Sequence, residues 1–577
     1  MLPASSAALP PSWAGPGPSP AARPHSAAEL RRAAQQALDR GHCSDAADLL
    51  ARAVALRPGD AVWRLRWAEA LEAAGRTSEA AEVAASLDPV LSPAVAHLLA
   101  RLAEQQGGAD ASVPRWSEHL HLAPADVHAR VARARALRQR GEWELALSEL
   151  EVAGRQDRFQ VEALVEQVEL HLEQGRVQKA TRPLRRLRRL VDDGPRSRPA
   201  LARVQLAMGA PTAAGQALAG HPAPPPVLAA EIAAARGDHE QASTLLESAP
   251  ASPRRALLRG RLLLFRHELS EARRAVSEGL AQRCSAAHRA RLLHLLGDVE
   301  DEAERPAAAA AAWRAANHCW GAPGTVRRTR EQLTQVMQAM DRDGLGWLPR
   351  RREGGAGIVV VVGAPGSGVQ LCASILGGDP GLRLRVPAVR LSELPGQLTR
   401  PGGRPWIQAL HRVRPSTLDH LARRYTGSHS SQALLVDADV DALPYVGLLH
   451  LLLPEARVVV VERQPQDQLL SLWRRPHPQP DRAWSRSPTA ARRWLNLHRT
   501  LVDHWARTLP SVVTRVSYEE LLLDPRATLA PFRASLGRPA PSLPAEGCVR
   551  PVRHEGPALR LDHIGRGERY SDWIGRA

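Results

Sequence analysis

Residues 357–371 read Gly-Ile-Val-Val-Val-Val-Gly-Ala-Pro-Gly-Ser-Gly-Val-Gln-Leu. An unbroken run of Ile and Val predicts a strand buried on both faces, and the glycines that follow predict a tight turn into a helix. That order builds an anion site. Glycines let backbone N–H groups curl around a phosphate, and the helix N-terminus adds the positive end of its dipole. The site residues are Gly363, Pro365, Gly366, Ser367, Gly368, Val369 and Gln370. Measured against the nucleoside-triphosphatase loop G-x-x-x-x-G-K-[ST], the glycines at 363 and 368 fit. Val369 replaces the lysine and Gln370 the magnesium-binding hydroxyl, which disfavours an ATPase or kinase.

Outward from this loop, further apolar runs predict strands at Ala433 to Val436, Arg457 to Val461 and Val512 to Val516. Together with Ile358 to Val362 they define an α/β domain over 357–577, a parallel sheet with helices on both faces. Ligands of such sheets bind beyond the carboxyl ends of the strands, where each motif below falls.

The first half differs. Glycines at 41, 75, 108, 141, 175, 209 and 237 recur mostly every 33 or 34 residues, and small residues follow at Ala46, Ala80, Ala146, Ala180, Ala214 and Ala242. Ala53 and Ala153 follow in turn, and Pro58 closes the first unit. Closely packed helix pairs need small residues where helices cross and a glycine at the turn. The pattern resembles the tetratricopeptide repeat. It predicts an α-solenoid over 27–320, with degenerate units around Ala272 and around Ala309 to Ala316, and the resemblance implies a surface for a protein or peptide partner. Residues 1–26 read as a disordered Pro/Ser/Ala leader, and 321–356 as a helix and a basic, turn-rich linker.

The chain has 577 residues and a net charge of +17, carried almost wholly by Arg, since Lys179 is its one lysine. Such a composition fits a GC-rich coding sequence. No zinc-finger spacing or aromatic-plus-basic pattern points to nucleic acid, whereas a small polyanionic ligand suits the charge. Five scattered cysteines, 43, 284, 319, 372 and 548, form no C-x-x-C pair and argue against a disulfide framework or a metal site. With no secretory signal and no run of 18 apolar residues, the expectation is a cytoplasmic protein with no membrane span.

Three motifs sharpen the α/β domain. Arg463-Gln-Pro465-Gln-Asp467-Gln-Leu-Leu-Ser471 follows a strand and resembles the sulfotransferase segment R-x-P-x-D-x-x-x-S. Val516-Ser-Tyr518-Glu519-Glu520-Leu-Leu-Leu-Asp524-Pro525 resembles the same family's [VF]-x-Y-E-[DE]-L-x-x-[DN]-P. His563-Ile-Gly565-Arg566-Gly-Glu-Arg569-Tyr570 resembles its tail segment V-G-R-W-x-x-Y, with Gly567 where tryptophan is expected. The glycine loop shares Pro365, Ser367 and Gly368 with the family's P-[RK]-S-G-T-[TS] and departs from it at Gly366, Val369 and Gln370. Covering about 355–577 behind the repeats, these motifs are similar to those of bacterial tetratricopeptide repeat-containing sulfotransferases.

The resemblance implies transfer of a sulfuryl group from 3′-phosphoadenosine 5′-phosphosulfate (PAPS) to a hydroxyl or amine, with PAPS as co-substrate and no metal. Arg463 and Ser471 would hold the 3′-phosphate, the loop the 5′-phosphosulfate and Tyr518 the adenine, while the tail covers the nucleotide with Arg566 near the 3′-phosphate. The loop Arg/Lys is lost at Gly366, and Arg383, Arg385 or Arg390 are the stand-ins expected from the next segment. Glu393, in Ser392-Glu393-Leu394-Pro395, matches the family's G-E-L-P glutamate if residues are inserted after Asp379-Pro380, and is the candidate base. Asp437 and Asp439 read as strand-end structural residues, and 476–488 as a mobile lid or a surface loop. The alternatives are a catalytically impaired sulfotransferase-like scaffold and, more distantly, a P-loop kinase; the acceptor and the repeat partner are not written in the sequence.

Overall fold

The computed structural model describes residues 26–88, 92–157, 160–191, 197–377, 382–385, 389–398, 405–427, 434–536 and 564–575. The expected leader, apart from Ser26, lies outside the described residues, as do Asp379, Pro380, Cys548 and His563. The chain divides into two compact units between Leu137 and Arg138.

In the first unit, Ser26 begins the helical repeats. Its hydroxyl accepts from Glu29 N at 3.2 Å, while Glu29 reaches back to Ser26 N at 3.1 Å, a capping box. Helices Ala27–Asp39, Cys43–Leu56, Ala61–Ala73, Thr77–Ala85 and Pro93–Leu122 follow, the last broken at Gly108. Gly41, Gly75 and Gly108 all have positive φ, which a glycine adopts without steric cost. Ala46 and Ala80 are fully buried in a common cluster with Leu50 and Leu71, where methyl-sized side chains let the helices approach closely.

The second unit continues the helix pairs to Ala286–Glu302 and Pro306–Cys319, with Gly141, Gly175, Gly209 and Gly237 again at positive φ. In the two degenerate units the same left-handed turn is made by His267 (φ 59°) and Glu304 (φ 57°). The pairing therefore persists where the glycine signal stops.

The same unit contains a five-stranded sheet of order β2-β3-β1-β4-β5, parallel throughout. Its strands are β1 (Ile358–Gly363), β2 (Leu382–Leu384), β3 (Leu434–Ala438), β4 (Arg457–Glu462) and β5 (Val513–Ser517). Alternate valines of β1 and β4 enter opposite cores. Val360, Val362, Val458 and Val460 pack on one side, and Val359, Val361, Val459 and Val461 on the other. This is why the runs are continuous rather than alternating. The unforeseen strand, β2, is a three-residue edge with two exposed residues, too short to carry a pattern. The chain leaves β1 toward β3 and returns to β4 on its other side, so the crevice at the carboxyl end of β1 lies at a topological switch point.

Residues 476–488 are not an open lid. They contain a 3₁₀ helix, Pro480–Arg486, whose buried Trp484 stacks on Trp494 at 4.1 Å. Arg482 Nη2 donates to both Asp441 Oδ1 (2.7 Å) and Oδ2 (2.8 Å). Aromatic burial and this ion pair anchor the segment.

Candidate functional site

The glycine loop closes the carboxyl end of β1. Gly366 (φ +81°) and Gly368 (φ +99°) hold conformations that L side chains rarely adopt, and both are crowded. A Cβ at Gly366 would stand 2.7 Å from Ser471 Oγ, and one at Gly368 would stand 2.3 Å from the Tyr518 ring. Sequence motifs 105 and 150 residues away from these glycines thus meet at this loop. Ser367 N–H closes the turn onto Ala364 O at 3.0 Å, while the fully buried Ser367 hydroxyl has no hydrogen-bond partner among the described residues. Pro365 is buried. Val369 opens the helix Val369–Gly377 and is core, whereas Gln370 is exposed. The first N–H groups of that helix lack partners within it and face the strand end.

Arg463 leaves β4 directly beside the loop. Its Nη1 donates to Gly366 O at 3.1 Å, and its guanidinium lies 4.5 Å from the centre of the Tyr518 ring. Ser471 follows on the helix Pro465–Trp473, nearly buried. Tyr518 opens the helix Tyr518–Leu523, which Ser517 caps by accepting from Glu520 N. Glu519 Oε1 accepts from Gln464 N at 2.9 Å, pinning the turn after β4 to that of β5. Burial pulls the Arg463 guanidinium below its ordinary pKa and Arg475 pushes the same way, while Tyr518, Asp467 and Glu519 oppose them. An anion placed here would offset that cost by favouring the charged guanidinium.

Arg475 is the cation that sequence reading passed over. It lies four residues beyond Ser471, is exposed, and perturbs the ionisation of both Arg463 and Tyr518. Of the stand-ins expected earlier, Arg385 is engaged on the neighbouring strand end. Arg385 Nη1 donates to Tyr425 O and Thr426 O, its guanidinium covers the Tyr425 ring, and Nη2 lies 3.6 Å from Asp437. Arg383 is exposed on edge strand β2, and Arg390 N–H caps onto Glu393.

On the neighbouring strand end, Asp437 accepts from Tyr425 Oη at 2.6 Å, and burial raises its carboxyl pKa. Asp439 accepts from Ser392 N (3.2 Å), Ser392 Oγ (2.9 Å) and Asp441 N (3.1 Å), and burial raises it too. Through Ser392, Asp439 fixes the short 3₁₀ turn Leu391–Glu393 beside the end of β3, with Glu393 exposed. Asp439 N in turn donates to Val361 O of β1, so this turn stands on the loop side of the sheet.

The tail segment docks on the Pro465–Trp473 helix. Asp467 accepts from Gly565 N at 2.8 Å and Gly567 N at 2.6 Å. A Cβ at Gly567 would lie 2.5 Å from the Gln466 backbone, which explains why no tryptophan stands there. Arg566, expected near the nucleotide, is nearly buried and pairs with Asp301 at 2.7 Å and Glu302 at 3.6 Å on a repeat helix. A separate cavity of ≈ 550 Å³, lined by residues such as Gln335, Gln338, Ile407 and His411, includes no loop residue.

Residues 359–542 match the model of the Sulfotransferase family. A protein of Aquifex aeolicus (strain VF5) described as uncharacterized is 25% identical over 185 residues, covering 30% of this chain and 24% of that relative's length. Among solved structures, a tetratricopeptide repeat protein from Parabacteroides merdae is similar at 15% identity and TM-score 0.33, over 50% of this chain and 99% of that one. The type IV pilus biogenesis factor PilW is similar at 15% identity and TM-score 0.31, over 38% and 98%. Scores at this level add no structural argument; the repeats rest on the helices and turns described above.

Proposed function

We propose that the chain, which carries a sulfotransferase-family region, binds PAPS at the glycine loop and transfers its sulfuryl group to a hydroxyl or amine of an acceptor. The observation that carries this reading is the convergence of Arg463, Ser471 and Tyr518 on Gly366 and Gly368. The residues suit such a donor: an arginine and a hydroxyl for the 3′-phosphate, a ring beside them for adenine, and a glycine turn with the buried Ser367 hydroxyl for the 5′ end. When bound, the donor supplies the activated sulfur. Backbone N–H groups of the loop orient its phosphosulfate, and Arg463 and Arg475 balance its charge. The acceptor oxygen or nitrogen forms the new bond to sulfur as the bond to the 5′-phosphate breaks. Glu393 takes the acceptor proton, and adenosine 3′,5′-bisphosphate leaves. The repeats bind a protein or peptide partner, and the cytoplasm is the proposed site of action.

Gly366 favours a second reading, a donor-binding scaffold with impaired transfer. Losing a preorganised donor aimed at developing charge typically costs about 10²–10³ in rate. Calorimetry with adenosine 3′,5′-bisphosphate tests the site. Wild type is expected to bind, with Arg463→Ala weaker by about 10- to 100-fold, the equivalent of a charged hydrogen bond. Equal affinities would sink the placement. Transfer of labelled sulfuryl to mixed acceptors, abolished in Glu393→Gln, separates enzyme from scaffold.

A further inference from the structure

Asp301 lies on the repeat helix Ala286–Glu302, far in sequence from every donor motif, and is 7% exposed. Its carboxylate gathers donors from two segments of the α/β domain. Oδ2 lies 2.7 Å from Arg566 Nη2 and 3.5 Å from Arg474 Nη1, and Oδ1 accepts from Tyr570 Oη at 2.6 Å. Asp298, one turn earlier, lies 3.4 Å from Arg474 Nε. His294, one further turn back, meets Arg474 O through Nδ1 at 2.9 Å. Trp313 of the next helix lies under the Arg474 guanidinium and beside Tyr570, and Asn317 donates to Trp473 O at 2.8 Å.

Arg474 caps the C-terminus of the helix that carries Ser471, and the residue after it is Arg475. The Arg474 side chain is drawn into the repeats, while Arg475 is exposed. Asp301 also holds the tail that Asp467 of that same helix caps. One buried carboxylate therefore braces both ends of the Pro465–Trp473 helix, through Arg474 at its C-terminus and through the Arg566 tail at its N-terminus.

We propose that Asp301 is a positioning residue of the donor site: the repeats, through this carboxylate and the helix it braces, aim Ser471 at the donor's 3′-phosphate. This rests on the PAPS reading above. Asp301 touches no ligand in it, so its effect falls on the phosphate whose contacts it aligns.

The test uses the full chain and two probes, adenosine 3′,5′-bisphosphate and adenosine 5′-monophosphate, which lacks the 3′-phosphate. Wild type is expected to prefer the bisphosphate; no binding of either probe would remove the PAPS reading itself. Asp301→Asn is expected to weaken bisphosphate binding about tenfold while leaving the monophosphate nearly unchanged, so that discrimination between them collapses. A merely structural role would weaken both alike, and that result, or unchanged discrimination, overturns the proposal. Should Asp301→Asn fail to fold, Asp298→Asn, which removes one contact on Arg474, is expected to show the same loss in smaller degree. Discrimination equal to wild type in that variant overturns the proposal as well.

Discussion

Gly366 occupies the position where related loops carry an arginine or lysine, and its surroundings explain the difference. Its backbone is left-handed, and the space a Cβ would need is taken by Ser471. A non-glycine residue here costs about 1–2 kcal/mol in backbone energy, and crowding adds about 1–3 kcal/mol. Restoring the missing cation is therefore expected to fail. Gly366→Arg should lower the melting midpoint and weaken bisphosphate binding, with no gain in sulfuryl transfer. A variant that bound more tightly at an unchanged midpoint would show that the loop tolerates the side chain. Arg463 instead donates to the Gly366 carbonyl from the side. The motif arginine was legible because it follows a buried strand at a fixed offset. Arg475 was not, because nothing in a run of two arginines says which turns inward. That choice is made by Asp298 and Asp301, more than 170 residues away.

At the scale of elements, the repeat turns show how a real pattern outlasts its signal. Seven glycines at positive φ mark the turns, after which His267 and Glu304 take the same conformation. Helix packing around Ala272, Ala275, Ala309 and Ala310 holds these turns despite their strain. Replacing either residue with glycine removes the left-handed penalty of about 1–2 kcal/mol and loses part of it to the greater freedom of the unfolded chain. His267→Gly and Glu304→Gly are each expected to stabilise the protein by a few tenths to about 1 kcal/mol. Urea denaturation followed by circular dichroism measures this, and a lowered midpoint would mean that the side chains contribute more than their strain costs. The core strands were legible for the opposite reason: burial on both faces demands continuous Val runs, whereas the short edge strand β2 makes no such demand.

Across the whole molecule, buried histidines set the response to acid. Burial holds His294 at about 4 and His498 at about 3, against an ordinary value of 6.5. Below 6.5 the unfolded chain binds protons that the folded chain refuses, so stability is full above that pH and falls as pH drops toward the folded values. At pH 5.5 each contributes a loss of about 1.4 kcal/mol. Glu173, Asp437 and Asp439 are shifted upward by burial and act in the opposite sense, from a lower starting range. The melting midpoint is expected to fall between pH 7.5 and 5.5, with a shallower slope in His498→Phe. A flat profile would show that these rings accept protons in the fold.

The amino-acid order alone determined the two kinds of architecture and the sulfotransferase-like motifs. Helix crossings, strand burial and phosphate-binding turns each impose a local residue pattern that survives without knowledge of the partner. Only the tertiary structure decided where the cations point. Arg385 pairs with Asp437, Arg566 with Asp301, and Arg463 with the loop carbonyl. An arginine's direction follows the nearest buried acceptor, and that acceptor is brought near by folding rather than by sequence spacing.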